Sequence, residues 1–360
     1  MKHDLKPYLP TLTGHSAVVA HTLTLDVAAV NTGWEDTMLA LGAVIAGARS
    51  NHDALMNWAR AWADHHLEVG FITDTMPEGY QTMQHSGVPN RGFYLSPYCG
   101  EWGGMGVLAE LAIATGQPRY LEAAKTIATH IQENALRWED GTILHGHWSK
   151  LPWVDTLYYT SGPLARLFVA TGEATHAEEA VRQCLLHAKH LRDPKTGLFF
   201  HEAHADGRRT GWSWSRGNGW VIKTFADVLQ LCPPETPGWA QLMPMYRDLV
   251  VALMHHQHPC GLWRILLENP ESHLETSGSV MIATGVLTGI QNGWLDLGET
   301  APLKRTLLEV DSWVDHQGRL MGCQTPAGLG GWEKHKLSRM GERTYGAGAY
   351  LRFIAEIDTA

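Results

Sequence analysis

Apolar positions along the chain fall into helix-length runs that come in pairs, each pair joined by a short break. Leu108 to Ala114 is apolar and helix-favouring, breaks at Thr115-Gly116-Gln117-Pro118, and resumes with helical period from Tyr120 to Ile131. The design returns as Leu164 to Ala170, a Thr171-Gly172 break, and His176 to Leu191. Glycine just past the last periodic residue is a helix C-cap signal. An earlier pair runs from Met38 to Ala46 and from His52 to His66, across a break at Gly47 to Asn51. Later pairs are Val221 to Leu231 with Trp239 to His256, and Ser279 to Gly293 with Ala301 to His316; a last helix covers Gly346 to Ile357.

Between pairs, small turn segments repeat: Asp140-Gly141-Thr142-Ile143-Leu144-His145, Thr196-Gly197-Leu198-Phe199-Phe200-His201, Cys260-Gly261-Leu262-Trp263-Arg264 and Gln317-Gly318-Arg319-Leu320-Met321. Their glycines are 56, 64 and 57 residues apart, and Arg91-Gly92-Phe93-Tyr94 is a weaker earlier copy. Six helical hairpins at a period near 60 residues predict an all-α, closed six-hairpin toroid, an (α/α)6 barrel. An open solenoid is the alternative; the long, irregular, loop-rich units favour the closed form. Inner helices should be rich in Gly, Ala and other small residues, and outer ones more polar. No Pro/Ser-rich linker interrupts the chain, so residues 1–360 read as a single domain, with strands confined to short hairpins near the glycine turns.

Composition narrows the function. With a net charge of −9, the chain has no electrostatic reason to seek nucleic acid or an anionic membrane, although one or two arginines could still make a site locally positive. Fifteen tryptophans suit stacking against the apolar faces of sugars, though most belong in a large helical core. Five cysteines without a CxxC pair read as reduced thiols in a cytosolic protein. The N-terminus lacks an apolar signal-peptide core, and no run is long and apolar enough to span a membrane, so a cytoplasmic location is expected. No metal or cofactor motif stands out: His255-His256-Gln257-His258 lacks the spacing of a zinc site.

Polar-aromatic clusters sit where inner helices should begin, and a toroid gathers those starts around one pocket. They are Trp34-Glu35-Asp36, Glu101-Trp102-Gly103-Gly104, His145-Gly146-His147-Trp148 leading into Trp153-Val154-Asp155, Trp214-Ser215-Arg216-Gly217-Asn218-Gly219-Trp220, Glu275-Thr276-Ser277 and Arg343-Thr344-Tyr345. Asp155 among aromatics should have its pKa raised by desolvation, as a general acid needs; a first-turn helix Asp is the plain alternative. Arg216 between two tryptophans is costly to hold unless it binds something, and its planar fork suits a carboxylate; a structural salt bridge with cation–π packing is the alternative. His201 and His147 could be sugar contacts or acid–base partners. Cys99 and Cys184 lack a base nearby in sequence and read as buried, and Glu275-Thr276-Ser277 can be read as a helix cap.

Taken in order, Trp153-Val154-Asp155-Thr156-Leu157-Tyr158, His201 after Thr196-Gly197-Leu198, Trp214 to Trp220, and Glu275-Thr276-Ser277-Gly278-Ser279 resemble glycoside hydrolase families 88 and 105. The likeness runs from about Trp34 to Leu351 and is closer to family 105, the unsaturated rhamnogalacturonyl hydrolases. It implies an (α/α)6 barrel acting without a cofactor on a small oligosaccharide that carries a C4=C5 unsaturated uronic acid at its non-reducing end. Asp155 falls at the position of the acid that protonates C4 and activates water. His201, Trp214, Arg216 and Trp220 fall at substrate-contacting positions, Arg216 being the partner of the uronate carboxylate. Trp34 joins them as a contact, with either His145 or His147. Where such families carry a second Asp before an earlier inner helix, this chain has Glu101. A sugar epimerase or an ordinary inverting glycosidase on the same barrel would instead need His pairs or widely spaced carboxylates. A non-catalytic sugar-binding barrel would not need Asp155.

Overall fold

Two kinds of helix alternate along the chain, distinguished by how many of their sides are packed. The computed structural model describes residues 5–73, 92–209, 212–295, 301–325 and 339–358. Among them are twelve α-helices: α1 Thr13–Thr24, α2 Trp34–Arg49, α3 Asp53–Val69, α4 Gly104–Thr115, α5 Pro118–Asn134, α6 Val154–Thr171, α7 Ala174–Leu191, α8 Ser215–Leu231, α9 Trp239–His255, α10 Thr276–Gln291, α11 Ala301–Ser312 and α12 Thr344–Asp358. The even-numbered helices are buried on nearly every side; in α8 every residue from Ser215 to Leu229 is buried. The odd-numbered ones bury a single stripe. In α5 it is Tyr120, Ala123, Ala124, Ile127, Ala128 and Ile131, the spacing of one helical face.

Each inner helix packs on the next, from α2 through α4, α6, α8 and α10 to α12, and α12 returns to α2. The toroid is therefore closed, as expected. At the seam Gly42 and Gly348 meet so closely that a Cβ on either would strike the other helix's backbone. Sequence reading missed α1, which buries only Gly14, Val18, Val19 and Thr22 and so lacks an apolar stripe to read. Helix α1 packs beside α12 and completes the sixth hairpin. Inner helices also begin two to ten residues before their apolar runs, α6 furthest, at Val154 against Leu164, because their polar first turns are buried at the mouth of the barrel.

The repeated glycines have a common geometry. Gly141, Gly197, Gly261 and Gly318 have φ between +79° and +107°, and the weaker copy, Gly92, has +85°. That left-handed region is open to glycine at little cost. Each turn feeds a loop that is stitched to the start of an inner helix. Cys99 N donates to His145 O (3.1 Å), Val154 N to His201 O (3.0 Å), Ser215 N to Ile265 O (2.8 Å) and Thr276 N to Gly322 O (2.9 Å). The extended structure is minimal: β1 Phe71–Ile72 pairs in parallel with β2 Phe93–Tyr94. Two antiparallel pairs join β3 Trp263–Arg264 to β4 Leu274–Glu275 and β5 Cys323–Gln324 to β6 Met340–Gly341.

Deep in the barrel a charged hub ties all six inner helices together. Asp227 on α8 accepts from Arg166 of α6 (3.0 Å), from Lys223 one turn away (2.8 Å) and from Arg352 of α12. Arg166 also reaches Glu110 of α4 (2.8 Å), while Glu356 of α12 pairs with Arg49 of α2 (2.6 Å) and accepts from Thr288 of α10 (3.2 Å).

Burial also sets an acid limit on stability. It pushes His145 down to about 3 and His66 and His187 down to about 4, from an ordinary 6.5. Below 6.5 the unfolded chain gains protons that the folded rings refuse, so stability is lost as pH falls from 6.5 through about 4. Denaturant midpoints measured across that window are expected to fall steadily. A flat midpoint would mean that these rings accept protons without opening the fold.

Candidate active site

The stitched loops bring the first turns of the inner helices around one aromatic-walled mouth. Asp155 stands in the first turn of α6, with its side chain 17% exposed and Oδ2 3.3 Å from His201 Nε2. Around it the rings form an arc. Tyr98 touches Trp148 (4.4 Å) and His145 (5.3 Å). His145 stacks on Trp153 (3.9 Å, 17°), which leans on His201 (4.4 Å), which meets the edge of Trp214 (5.2 Å). Arg216 lies over Trp214 (4.4 Å) and Tyr345 (5.0 Å), and Tyr345 packs on Trp34 (5.2 Å).

Arg216 is 3% exposed. Its Nη1 donates to the backbone oxygen of Gln324 (3.0 Å), to Gln324 Oε1 (3.3 Å) and to the Tyr345 hydroxyl (3.0 Å). Those acceptors are all neutral, and among the described residues no carboxylate lies within ion-pairing distance of the guanidinium. The salt-bridge part of the plain alternative is therefore not met, while its cation–π part is. Gln324 also accepts from Trp214 Nε1 (2.7 Å), and its backbone oxygen from the Tyr345 hydroxyl, so it fixes all three groups. Sequence reading missed Gln324, which follows Cys323 in β5 and belongs to none of the polar-aromatic clusters. It also passed over Tyr345 and Trp153, although both stand in clusters it had marked.

The expected rise in the Asp155 pKa is not found. Burial does push the carboxyl up, but His201, His145 and Arg216 together outweigh it and hold Asp155 below its ordinary value. These partners come from distant turns, so the aromatic residues adjacent in sequence misled. A base also reaches Cys99 from afar: His145 Nδ1 is 3.2 Å from the sulfur. Burial holds the thiol well above its usual pKa and pushes the imidazole down, so both stay neutral.

Three other expectations change. His147 is exposed and meets the edge of Trp148 (4.9 Å), while His145 is buried in the arc beside Trp153. Trp220 has no exposed surface and cannot be a sugar platform; it backs the wall behind Tyr158 (4.5 Å), Tyr159 (5.7 Å) and Trp34 (6.5 Å). Trp214 is nearly as buried, whereas Trp34, Trp148 and Trp153 keep open surface. Glu101 is 1% exposed in the turn Cys99–Glu101 before α4, and the groups that weigh most on Asp155 do not include it. The capping reading of Glu275 holds: its carboxylate accepts from Gly278 N (2.7 Å) and Ser277 Oγ (2.6 Å). Trp153 Nε1, Trp220 Nε1 and Arg216 Nε are buried and lack a hydrogen-bond partner among the described residues. Among the described residues, no His, Cys, Asp or Glu group is arranged to hold a metal ion, and no helix is long and apolar enough to cross a membrane.

Comparison with known proteins places this architecture. The unsaturated rhamnogalacturonyl hydrolase YesR of Bacillus subtilis is 28% identical over 255 residues, 68% of this chain and 72% of that protein. A glycoside hydrolase of family 105 from C. acetobutylicum superposes with a TM-score of 0.80 at 20% identity, covering 96% of this chain and 99% of that one. The unsaturated glucuronyl hydrolase of Bacillus sp. GL1 superposes with a TM-score of 0.65 at 14% identity, covering 94% and 96%. Residues 21–360 match the family described as Glycosyl Hydrolase Family 88, and the chain is accordingly a glycoside hydrolase belonging to that family.

Proposed function

We propose that the enzyme releases a C4=C5 unsaturated uronic acid from the non-reducing end of lyase-generated oligosaccharides, by adding water across the double bond. The observation that carries this reading is Arg216, a buried guanidinium that pairs with no carboxylate among the described residues, whose positive field falls on Asp155. A buried charge left without a counter-charge is costly, and a uronate carboxylate supplies one. Trp34 and Trp153, which keep open surface, are the rings offered to the sugar. Unsaturated galacturonyl-rhamnose is the proposed substrate, supported by the activity for which YesR is named.

In this reading a proton drawn from solvent goes to C4 and the oxygen of water to C5, and the proton that this water loses returns to solvent through Asp155. The hemiketal formed at C5 opens and the aglycone departs as an alcohol. Asp155, held ionised at neutral pH, takes the proton from the attacking water. His145 and His201 flank it. The test is loss of the ultraviolet absorbance of the unsaturated uronate on lyase-digested rhamnogalacturonan. No loss on this or on other lyase-made disaccharides would end the reading.

Arg216→Ala should raise KM for the uronate about 10- to 100-fold, the loss of one or two charge-assisted hydrogen bonds. KM for the uronate methyl ester should rise far less. Equal losses for acid and ester would remove Arg216 from the carboxylate role.

A further inference from the structure

Among the described residues Arg166, Arg216 and Arg352 are the buried arginines, and one of them is partnered differently from the rest. Arg166 and Arg352 both donate to Asp227, an acid buried with them. Arg216 meets an amide instead, that of Gln324, which has no exposed surface. Two acids of the mouth are engaged elsewhere. Glu275 accepts from Ser215 Oγ (3.1 Å), Ser277 Oγ (2.6 Å) and Gly278 N (2.7 Å), and Glu35, in the first turn of α2, faces Arg343 at 4.0 Å.

Gln324 is fixed through its backbone. It pairs with Met340 across β5 and β6, and Thr325 N next to it donates to Arg339 O (2.9 Å). From there the side-chain oxygen accepts from Trp214 Nε1 (2.7 Å) and Arg216 Nη1 (3.3 Å), and the backbone oxygen from Arg216 Nη1 (3.0 Å) and the Tyr345 hydroxyl. An indole N–H and a guanidinium can only donate, so the side-chain atom facing them is the amide oxygen. The bonds from Arg216 all use Nη1, whereas Nε is buried without a partner among the described residues. Trp214 carries Arg216 over its face (4.4 Å) and His201 at its edge (5.2 Å), and His201 reaches Asp155 (3.3 Å). One amide oxygen thus sets the plane of the ring that lies between Arg216 and the reacting end of the site.

We propose that Gln324 is a positioning and specificity-determining residue, a neutral cradle that fixes Arg216 and Trp214 yet leaves the guanidinium charge to the uronate carboxylate. The identity of that carboxylate rests on the hydration reading. A carboxylate at position 324 would hold the same groups, but it would satisfy Arg216, and the substrate's own carboxylate would be desolvated with no free charge to meet it. An apolar residue there would leave the charge available but take away the acceptor of Trp214 Nε1.

The test is steady-state kinetics on a lyase-made unsaturated disaccharide and on its methyl ester, for wild type, Gln324→Glu and Gln324→Met. Gln324→Glu should raise KM for the acid about 10- to 100-fold and KM for the ester less than about threefold. Gln324→Met adds no charge but frees the ring, so it should lower kcat about 10-fold for acid and ester alike and keep the ratio of their KM values. A KM in Gln324→Glu that is unchanged, or that shifts equally for acid and ester, overturns the cradle, and so does a full kcat in Gln324→Met. If Gln324→Glu does not fold, the Gln324→Met arm decides. If wild type turns over no unsaturated disaccharide, the hydration reading fails, and the cradle is read from calorimetric binding of galacturonate, which Gln324→Glu should weaken at least about 10-fold. Galacturonate binding that is equal in the two proteins, or absent in wild type, overturns it.

Discussion

Asp155→Asn should lower kcat about 10³- to 10⁴-fold, the upper part of the range for a lost acid–base group. The amide keeps the carboxylate's shape, so the stacked rings need not move. It cannot take a proton from water, and it removes the negative charge on which His201, His145 and Arg216 converge. Substrate binding should survive, because Arg216 is held by Gln324 and Tyr345 and does not lean on Asp155. The expected signature is a collapsed kcat with a KM close to wild type and an unchanged unfolding midpoint. A variant that keeps a tenth of the wild-type rate would show that another group activates the water. In wild type, low pH should imitate the substitution. Asp155 is ionised above its depressed pKa, so activity should persist well into the acid range and fail only as that carboxylate protonates.

Asp227→Ala should cost about 3–5 kcal/mol of stability, the range for removing one partner from a buried ion pair. Asp227 is the one acid that accepts from Arg166, Lys223 and Arg352, and removing it leaves three buried cations facing one another. Those cations hold Asp227 well below the usual carboxylate range despite its burial. Lys223→Met should cost much less. Burial and the neighbouring Arg352 already push Lys223 down to about 8, and its removal relieves a cation-rich hub in which both arginines keep their acid. Comparing the two variants by denaturant midpoint separates charge from volume. Equal losses would mean that packing, not charge, holds the hub.

What the sequence disclosed follows what is local. Gly116 and Gly172 end their helices with φ of +66° and +73°, so the hairpin breaks could be read from a few residues each. The periodic turns and the clusters at the inner-helix starts were visible for the same reason. What depends on residues far apart was not. The direction of the Asp155 pKa turns on His201 and Arg216, which reach it through other hairpins. Gln324 becomes a hub only because β5 passes beneath Trp214 and Arg216. Lys223 with Asp227 and Arg352 with Glu356 look like i, i+4 pairs on a solvated helix face, yet they lie in the middle of the barrel. Trp220 looks like a partner to Trp214, and only the packing of α2 and α6 shows that it is walled off.

The seam where Gly42 meets Gly348 has a consequence for how activity can arise. Trp34 and Glu35 come from the first inner helix and Tyr345 from the last, so the mouth joins residues about 310 positions apart. Contacts between such distant segments form late, after the entropy of closing the chain has been overcome. A chain emerging from the ribosome can stack its hairpins in order, but it has no working site until the final helix docks against the first. Fragments that stop short of that helix would be helical, sticky along an unclosed edge and inert, so catalysis itself reports that the whole chain has arrived.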